Sequence, residues 1–434
     1  MKDSLFKSLT RRQAYFLAAL CFAWISTGPI AATFAFKHLR APTDLTRDFV
    51  AAKVLARGEP LSTLDGDRGN AEAVREGGHR VLILDGSPFH LHPPPASLPM
   101  RLLVPLGLRG ASIAWLVLSL GLLGVLAWRL GDIFERVTGR LPVARPALFL
   151  LLMLWHATLM NVELGQWSIV LAALIAVGFD ALERAQPGRG GAWLGATAAL
   201  KLTPWMLFPF LALRRRRAAV AFAVVFSAAL ALALPFGGGL DAWMAFERGA
   251  GKNVAEWQTW WHNTLSINGL VARLLVGGRF ARPLVEAPVA ARVIVLAAGL
   301  ALVFAAFRVT AGPDRPARNG CVFALWSVLI VVLNPLAWTH YALLLVLPAA
   351  LVFRAAEEPA SPLPEGTRAA IRRDLAIAIV GLSIPKETFY FAVTPLPTSP
   401  AAAPVGSVHL FAALMLFAAA YRGARGLRSV PAGD

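Results

Sequence analysis

The feature that most constrains this chain is a succession of apolar runs, around ten of them, each approaching the roughly 20 residues a helix needs to cross a bilayer. In lipid every backbone N–H and C=O must find its partner inside the protein, so runs of this kind fold as helices. Hydrophobic residues make up 57% of the chain and charged ones 15%, where a soluble domain carries about a quarter charged residues. The chain reads as an all-α polytopic membrane protein, one integral membrane domain over residues 1–434. A formal net charge of +17 raises nucleic acid as a partner. The distribution argues against it: the basic residues are scattered through the loops, mostly where anionic headgroups and the positive-inside rule want them. Cys21 and Cys321 lie in or beside apolar runs and offer neither a disulfide framework nor metal-ligand spacing.

Basic residues set the expected topology. Lys2, Lys7, Arg11 and Arg12 precede an apolar run from Ala14 to Phe36 that exceeds the roughly 7–15 residues of a signal sequence, so it is expected to be a retained first span with a cytoplasmic N-terminus. It leads into a large first external loop, 37–110, where Pro93-Pro94-Pro95 and Pro99 limit re-entry to a short interfacial helix. Spans at about 111–130, 146–162 and 167–182 follow. The segment 191–213 has basic flanks on both sides, ending in Arg214-Arg215-Arg216-Arg217, and Lys201-Leu202-Thr203-Pro204 interrupts its middle. Two half-helices forming a re-entrant hairpin keep both flanks cytoplasmic, whereas a single crossing would put four arginines outside. Further spans at about 218–236, 287–307, 321–337, 341–354, 374–391 and 405–421 leave a second external loop at 237–285 and a cytoplasmic C-terminus. The expected sum is ten crossings plus the hairpin, in a cell (inner) membrane.

Several polar residues stand out against this background. Asp48, in Arg47-Asp48-Phe49, lies a turn or more beyond the first span, where a carboxylate serves as general base on a hydroxyl within reach; a loop aspartate paired with Arg47 is the plainer reading. Lys201 sits roughly eleven residues into an apolar segment, about 16 Å deep at helical rise. A cation at that depth costs about 2.5–3.5 kcal/mol and marks a functional site unless it snorkels or meets the free carbonyls of the hairpin. His340, in Trp338-Thr339-His340-Tyr341 just after Asn334-Pro335, is either a phosphate ligand or part of an aromatic belt. Gln166 is a sugar-hydroxyl ligand or loop polarity, and Trp243, Trp257, Trp260 and Trp261 are stacking platforms or interfacial anchors. His90-Leu91-His92 and Asp65-Gly66-Asp67 imitate metal motifs but lack a third ligand at useful spacing, so no metal site is expected. A Gly-rich nucleotide loop is likewise missing from the sequence, which argues against a soluble nucleotide-sugar donor.

The order of these segments resembles glycosyltransferase family 87, within the C-type (GT-C) superfamily of polytopic glycosyltransferases. The resemblance is carried by Asp48-Phe49, Ala56-Arg57-Gly58-Glu59-Pro60, Phe89-His90-Leu91-His92-Pro93-Pro94, Gly165-Gln166-Trp167-Ser168, the stretch Gly195 to Pro204, Asn263, Ser266, Gly269 and Trp338-Thr339-His340-Tyr341. It implies a GT-C type fold and an inverting transfer at the outer membrane face, with Asp48 as base. The donor would be a polyprenyl-phosphate sugar and no further cofactor is implied. A hexose, mannose first, would pass to a lipid- or glycan-linked acceptor; an arabinofuranosyl transfer is the nearest variant, and a polyprenyl-lipid transporter or flippase the alternative outside enzymes. The expected substrate-binding set is Arg47, Gln166, Lys201, Asn263, Ser266 and His340. Two departures bear on sugar and acceptor identity. Val50-Ala51-Ala52 and Pro60-Leu61 replace the tyrosines usual after the aspartate and glycine, and Leu91-His92 stands where Tyr-Pro is usual.

Overall fold

The computed structural model describes residues 42–80, 89, 92–138, 145–260, 264–277, 282–358, 361–385 and 402–428. The expected first span, the second half of the span at 374–391, Asn263, His90 and Trp261 lie outside the described residues. What is described is helical, and its one isolated β-bridge joins Thr264 to Trp338.

The helices before the first long span form a small unit with its own buried core. Helix α1 (Thr43–Ala56) starts behind Pro42 with Asp44 in its first turn, and α2 (Gly66–Arg75) is N-capped by Asp65, whose side chain accepts from the Arg68 N–H at 2.8 Å. Pro94 and Pro95 head α3 (Pro94–Arg101). The first turn of a helix has no use for their missing N–H groups, so the prolines begin this helix rather than end one. Helix α1 is covered nearly all round. Leu45, Phe49, Val50, Ala52 and Val54 are buried, and so are Arg47 and Asp48.

The long helices follow: α4 (Gly107–Thr138), α5 (Arg145–Leu154), α6 (His156–Leu164), α7 (Ser168–Glu183), α8 (Pro187–Leu200), α9 (Phe208–Arg214), α10 (Arg216–Phe236), α11 (Gly239–Trp260), α12 (Ile267–Leu275), α13 (Pro288–Thr310), α14 (Pro316–Val332), α15 (Val346–Glu357), α16 (Glu365–Ser383), the short α17 (Ala402–Val405) and α18 (Val408–Gly426). Four helices among the described residues are long and apolar enough to cross a membrane: Val104–Glu135, Arg216–Phe236, Pro288–Thr310 and Thr339–Glu357. The pair α5 and α6, bent by 64° where Trp155 takes an extended conformation, makes a fifth if it is one span. Ten crossings are therefore more than these helices meet on length and composition. Helix α14, overlapping the expected span at 321–337, has 17 residues, and α7 has 16.

Exposure separates lipid-facing from core helices. On α13, Val289, Val293, Leu296, Leu300, Phe304 and Phe307 are all exposed at three- and four-residue spacing, an apolar stripe along the outer side of the helix. Every residue of α14 from Arg318 to Val332 is buried instead, which makes it the centre of the bundle.

The middle of the chain is organised by close helix contacts. Gly178 faces Leu194 and Gly190 faces Leu182, so α7 and α8 run antiparallel. A Cβ on Gly191 would stand 2.0 Å from the Ala218 carbonyl oxygen, and one on Gly195 would stand 2.5 Å from that of Phe222. Numbering rises together on the two helices, so α8 and α10 are parallel. The chain from Lys201 to Arg215 therefore runs back to the level of Gly191, through a 3-10 turn at Thr203–Leu207 and α9.

Candidate active site

The site grows from helical spacing on α1. Asp44 and Asp48 are one turn apart and share a face. Against that face comes the turn after α6. Gly165 caps α6 in the left-handed conformation, φ 68°, and lies so close to α1 that a Cβ would stand 2.5 Å from Leu45 Cβ. Glycine meets both demands, and the next two residues are delivered onto the carboxylates. Trp167 Nε1 donates to Asp48 Oδ2 at 2.9 Å, and Gln166 Nε2 donates to Asp44.

A third strand of chain closes over Asp48. His92, held just before the prolines of α3, lies with Nδ1 at 2.7 and 2.9 Å from the two Asp48 oxygens. Arg47 does not supply the counter-charge in direct contact: its Nε donates to the Phe89 carbonyl at 2.5 Å, while the Asp48 carboxylate is bonded by His92 and Trp167. The plainer reading of Asp48, an ion pair with its sequence neighbour, is thus not what the structure has.

Electrostatics drive the two carboxylates apart. Burial alone would push Asp48 up, but the charge and hydrogen bond of His92, the Trp167 N–H and the charge of Lys201 together hold it below its ordinary value. Asp44 is pushed up by burial, with Arg47, His92 and Lys201 only partly offsetting it. Burial also lowers Arg47, against the pull of both aspartates.

Lys201 joins this group from α8. The helix ends there because Lys201 takes an extended conformation, φ −153° and ψ 103°, with Pro204 three residues on. Its Nζ lies 3.3 Å from Gln166 Oε1 and 4.7 Å from the centroid of the Tyr341 ring. Tyr341 packs on His340, ring centroids 4.8 Å apart, and Asn161 Nδ2 donates to the His340 carbonyl at 3.0 Å. His340 is buried, which sets it apart from an aromatic belt residue facing lipid headgroups. Two linked sets result, His92–Asp48–Trp167 and Asp44–Gln166–Lys201–Tyr341–His340.

Ser266 has other work. Its Oγ caps α12 by accepting from the Gly269 N–H at 3.0 Å and also reaches the Pro335 carbonyl at 3.4 Å. With Leu265 N–H donating to the Ala337 carbonyl at 2.7 Å, it ties α12 to the segment that presents His340. Asp44, His92 and Trp167 were not among the substrate-contacting residues expected from sequence. Asp44 was legible as the residue one helical turn before Asp48, had 43–56 been read as helix.

Exposed apolar stripes around a buried core, helical throughout the described residues, mark a membrane-embedded protein with a polar cluster at Asp48, Gln166 and Lys201. The sequence profile of glycosyltransferase family 87 matches residues 89–335, more than half of the chain, and the protein belongs to that family. It is a membrane glycosyltransferase. The matched stretch contains His92, Gln166, Trp167 and Lys201, while Asp48 lies well before its start and His340 shortly after its end. Neither a curated protein nor a solved structure matches the chain.

Proposed function

We propose that this glycosyltransferase moves a hexose, mannose first, from a polyprenyl-phosphate donor to a lipid- or glycan-linked hydroxyl at the external face of the cytoplasmic membrane, with inversion. The observation that carries the reading is the juxtaposition of a buried carboxylate, Asp48, with a buried-side cation, Lys201, across one turn of chain at Gln166-Trp167. Inversion requires a hydroxyl to attack the anomeric carbon in line as the phosphate departs. Phosphate leaves without help from a protein acid, so one base on the acceptor side is enough. The base is built around Asp48. Lys201 and His340 stabilise the negative phosphate, by charge and by hydrogen bond. Gln166 and Arg47 bind beside them, and Asn263 and Ser266 complete the proposed set.

An apolar cleft with about 130 Å³ of free volume lies among α4, α5, α15 and α16, lined by Leu130, Phe134, Trp155, Ala342, Leu345 and Phe353 among others, and is where the lipid tail would lodge. Ala342, in its lining, is the chain neighbour of Tyr341, whose ring faces Lys201. A donor anchored by its tail there would present its phosphate to Lys201.

The orientation belongs to the same proposal. With α8 and α10 parallel, both flanks of 191–213 lie at one level, and the arginines at 214–217 make that level cytoplasmic, together with both chain termini. Cysteines placed at Arg189 and Arg215 should both label only from inside. Opposite-sided labelling would refute the hairpin and invert everything downstream.

Mass spectrometry of envelope lipids and glycans, from cells with and without the gene, tests the function. Loss of one hexose increment is expected. A pentose increment would move the reading to arabinofuranosyl transfer, and an unchanged profile would remove both.

A further inference from the structure

The geometry points to His92 Nε2, with Asp48 behind it, as the atom that takes the proton from the acceptor hydroxyl. This rests on the glycosyl-transfer reading above and assigns one step within it. The carboxylate is already engaged from two directions, by His92 Nδ1 at 2.7 and 2.9 Å and by Trp167 Nε1 at 2.9 Å. A Nδ1–H held between both oxygens fixes the neutral imidazole in the tautomer whose lone pair lies on Nε2. That second nitrogen makes no hydrogen bond to the described residues and is not among the sealed-off polar atoms, although the residue as a whole is only 9% exposed. The ring is clamped edge-on by Trp167, centroids 6.4 Å apart. The result is a base aimed outward and an acid behind it, the arrangement by which a carboxylate orients an imidazole and stabilises the imidazolium that forms.

The step balances. An oxygen lone pair of the acceptor hydroxyl forms the bond to the anomeric carbon, and the carbon–oxygen bond to phosphate breaks with its electrons leaving on the phosphate. The hydroxyl proton passes to Nε2. Nδ1–H stays on the ring, and the positive charge of the imidazolium is met by the Asp48 carboxylate until the proton is lost to water.

The test is His92→Asn. The Asn amide nitrogen occupies the place of Nδ1, so the hydrogen bond to Asp48 is kept while the outward-facing basic nitrogen is removed. Purified enzyme in lipid nanodiscs would be given decaprenyl-phosphate mannose, with octyl mannoside as the acceptor probe. Turnover of His92→Asn is expected to fall by about 10²–10⁴-fold, the range of a lost general base, with donor affinity unchanged. A variant that retains more than about a tenth of wild-type turnover would return the base to Asp48 itself. A measurement on the wild type avoids any folding defect: carbethoxylation located on His92 by peptide mass spectrometry should abolish transfer, and hydroxylamine should restore it. Enzyme fully modified at His92 and still active overturns the assignment. A wild type that turns over no polyprenyl-phosphate sugar fails the glycosyl-transfer reading and the assignment with it, whereas active wild type with active His92→Asn fails the assignment alone.

Discussion

The two ends of the helical bundle both bury carboxylates, and they pair them differently. At the end away from the site the partners are arginines. Glu183, fifteen residues along α7 from Ser168 and so about 22 Å away at helical rise, meets Arg354 at 2.7 Å. The buried Asp374 on α16 is engaged by Arg422 and Arg373, and the exposed Asp314, close before α14 in the chain, by Arg215. The hydrogen bond from Arg215, with help from Asn319 and Arg214, holds Asp314 down to about 2. At the site end the partners of Asp48 and Asp44 are imidazole, indole and amide. Guanidinium is a permanent cation that locks a carboxylate in its charged form. Imidazole, indole and amide fix its position while leaving a neighbouring atom able to exchange a proton or meet a substrate. One end is therefore joinery and the other is chemistry, although both use the same acids.

The largest expected effect breaks the site end. Asp48→Asn keeps the shape of the side chain and removes its charge, and turnover should fall by about 10²–10⁴-fold while the lipid donor still binds. Retention of more than about a tenth of wild-type transfer would dissolve the distinction between the two ends. Next comes Glu183→Gln at the other end, which leaves Arg354 buried without its counter-charge. Stability should drop by about 3 kcal/mol, the low end for one half of a buried pair, as read by thermal unfolding in detergent. Turnover per folded molecule should stay the same, and a kcat change would show the pair to be coupled to the site.

A smaller effect is expected at His340→Ala. Donor use should weaken by about 1.5–3 kcal/mol, the range for a hydrogen bond to a charged group, seen as a raised donor KM. Unchanged donor saturation would return His340 to a packing role beside Tyr341. The smallest effect sharpens the contrast inside α1. Asp44 is raised by burial from its ordinary value of 3.8, so the stability linked to its neutral form is full below that value and is lost as pH rises through the folded one. Asp48 is lowered on balance, so its contribution is present above the ordinary value and is lost on acidification. Asp44→Asn, which cannot ionise, should be at least as stable as wild type at neutral pH and lose that advantage in acid. A variant less stable at neutral pH than in acid, relative to wild type, would reverse the sign.

Much of this was legible in the chain. Apolar runs located α4, α10, α13 and the Thr339–Glu357 helix, because lipid imposes a length that composition alone reports. The break at Lys201 was legible because a charge followed by proline three residues later cannot continue an apolar helix. The extended conformation at Trp155 that bends the pair was not, since no proline or glycine marks it. In the site, Asp48, Gln166, Lys201 and His340 could be picked out as polar residues in apolar surroundings. What escaped was their pairing. His92 had been weighed as a metal ligand on local spacing, whereas its partner lies forty-four residues back in the chain. Asp44 escaped because 37–110 was read as loop, and a loop has no period of 3.6 to place two acids on one face.

The glycine face of α8 has a mechanical consequence. With Gly191 and Gly195 lying directly on the backbone of α10, the two helices behave as one strut, and Lys201 is the tip of that strut. The reach of its ammonium is set less by the rotamers of the lysine than by a seam six to ten residues away, where there is no side chain to yield. Widening the seam by a single methyl group would tilt the tip, and the cation would leave Gln166 and the Tyr341 ring without any change in the residues of the site itself.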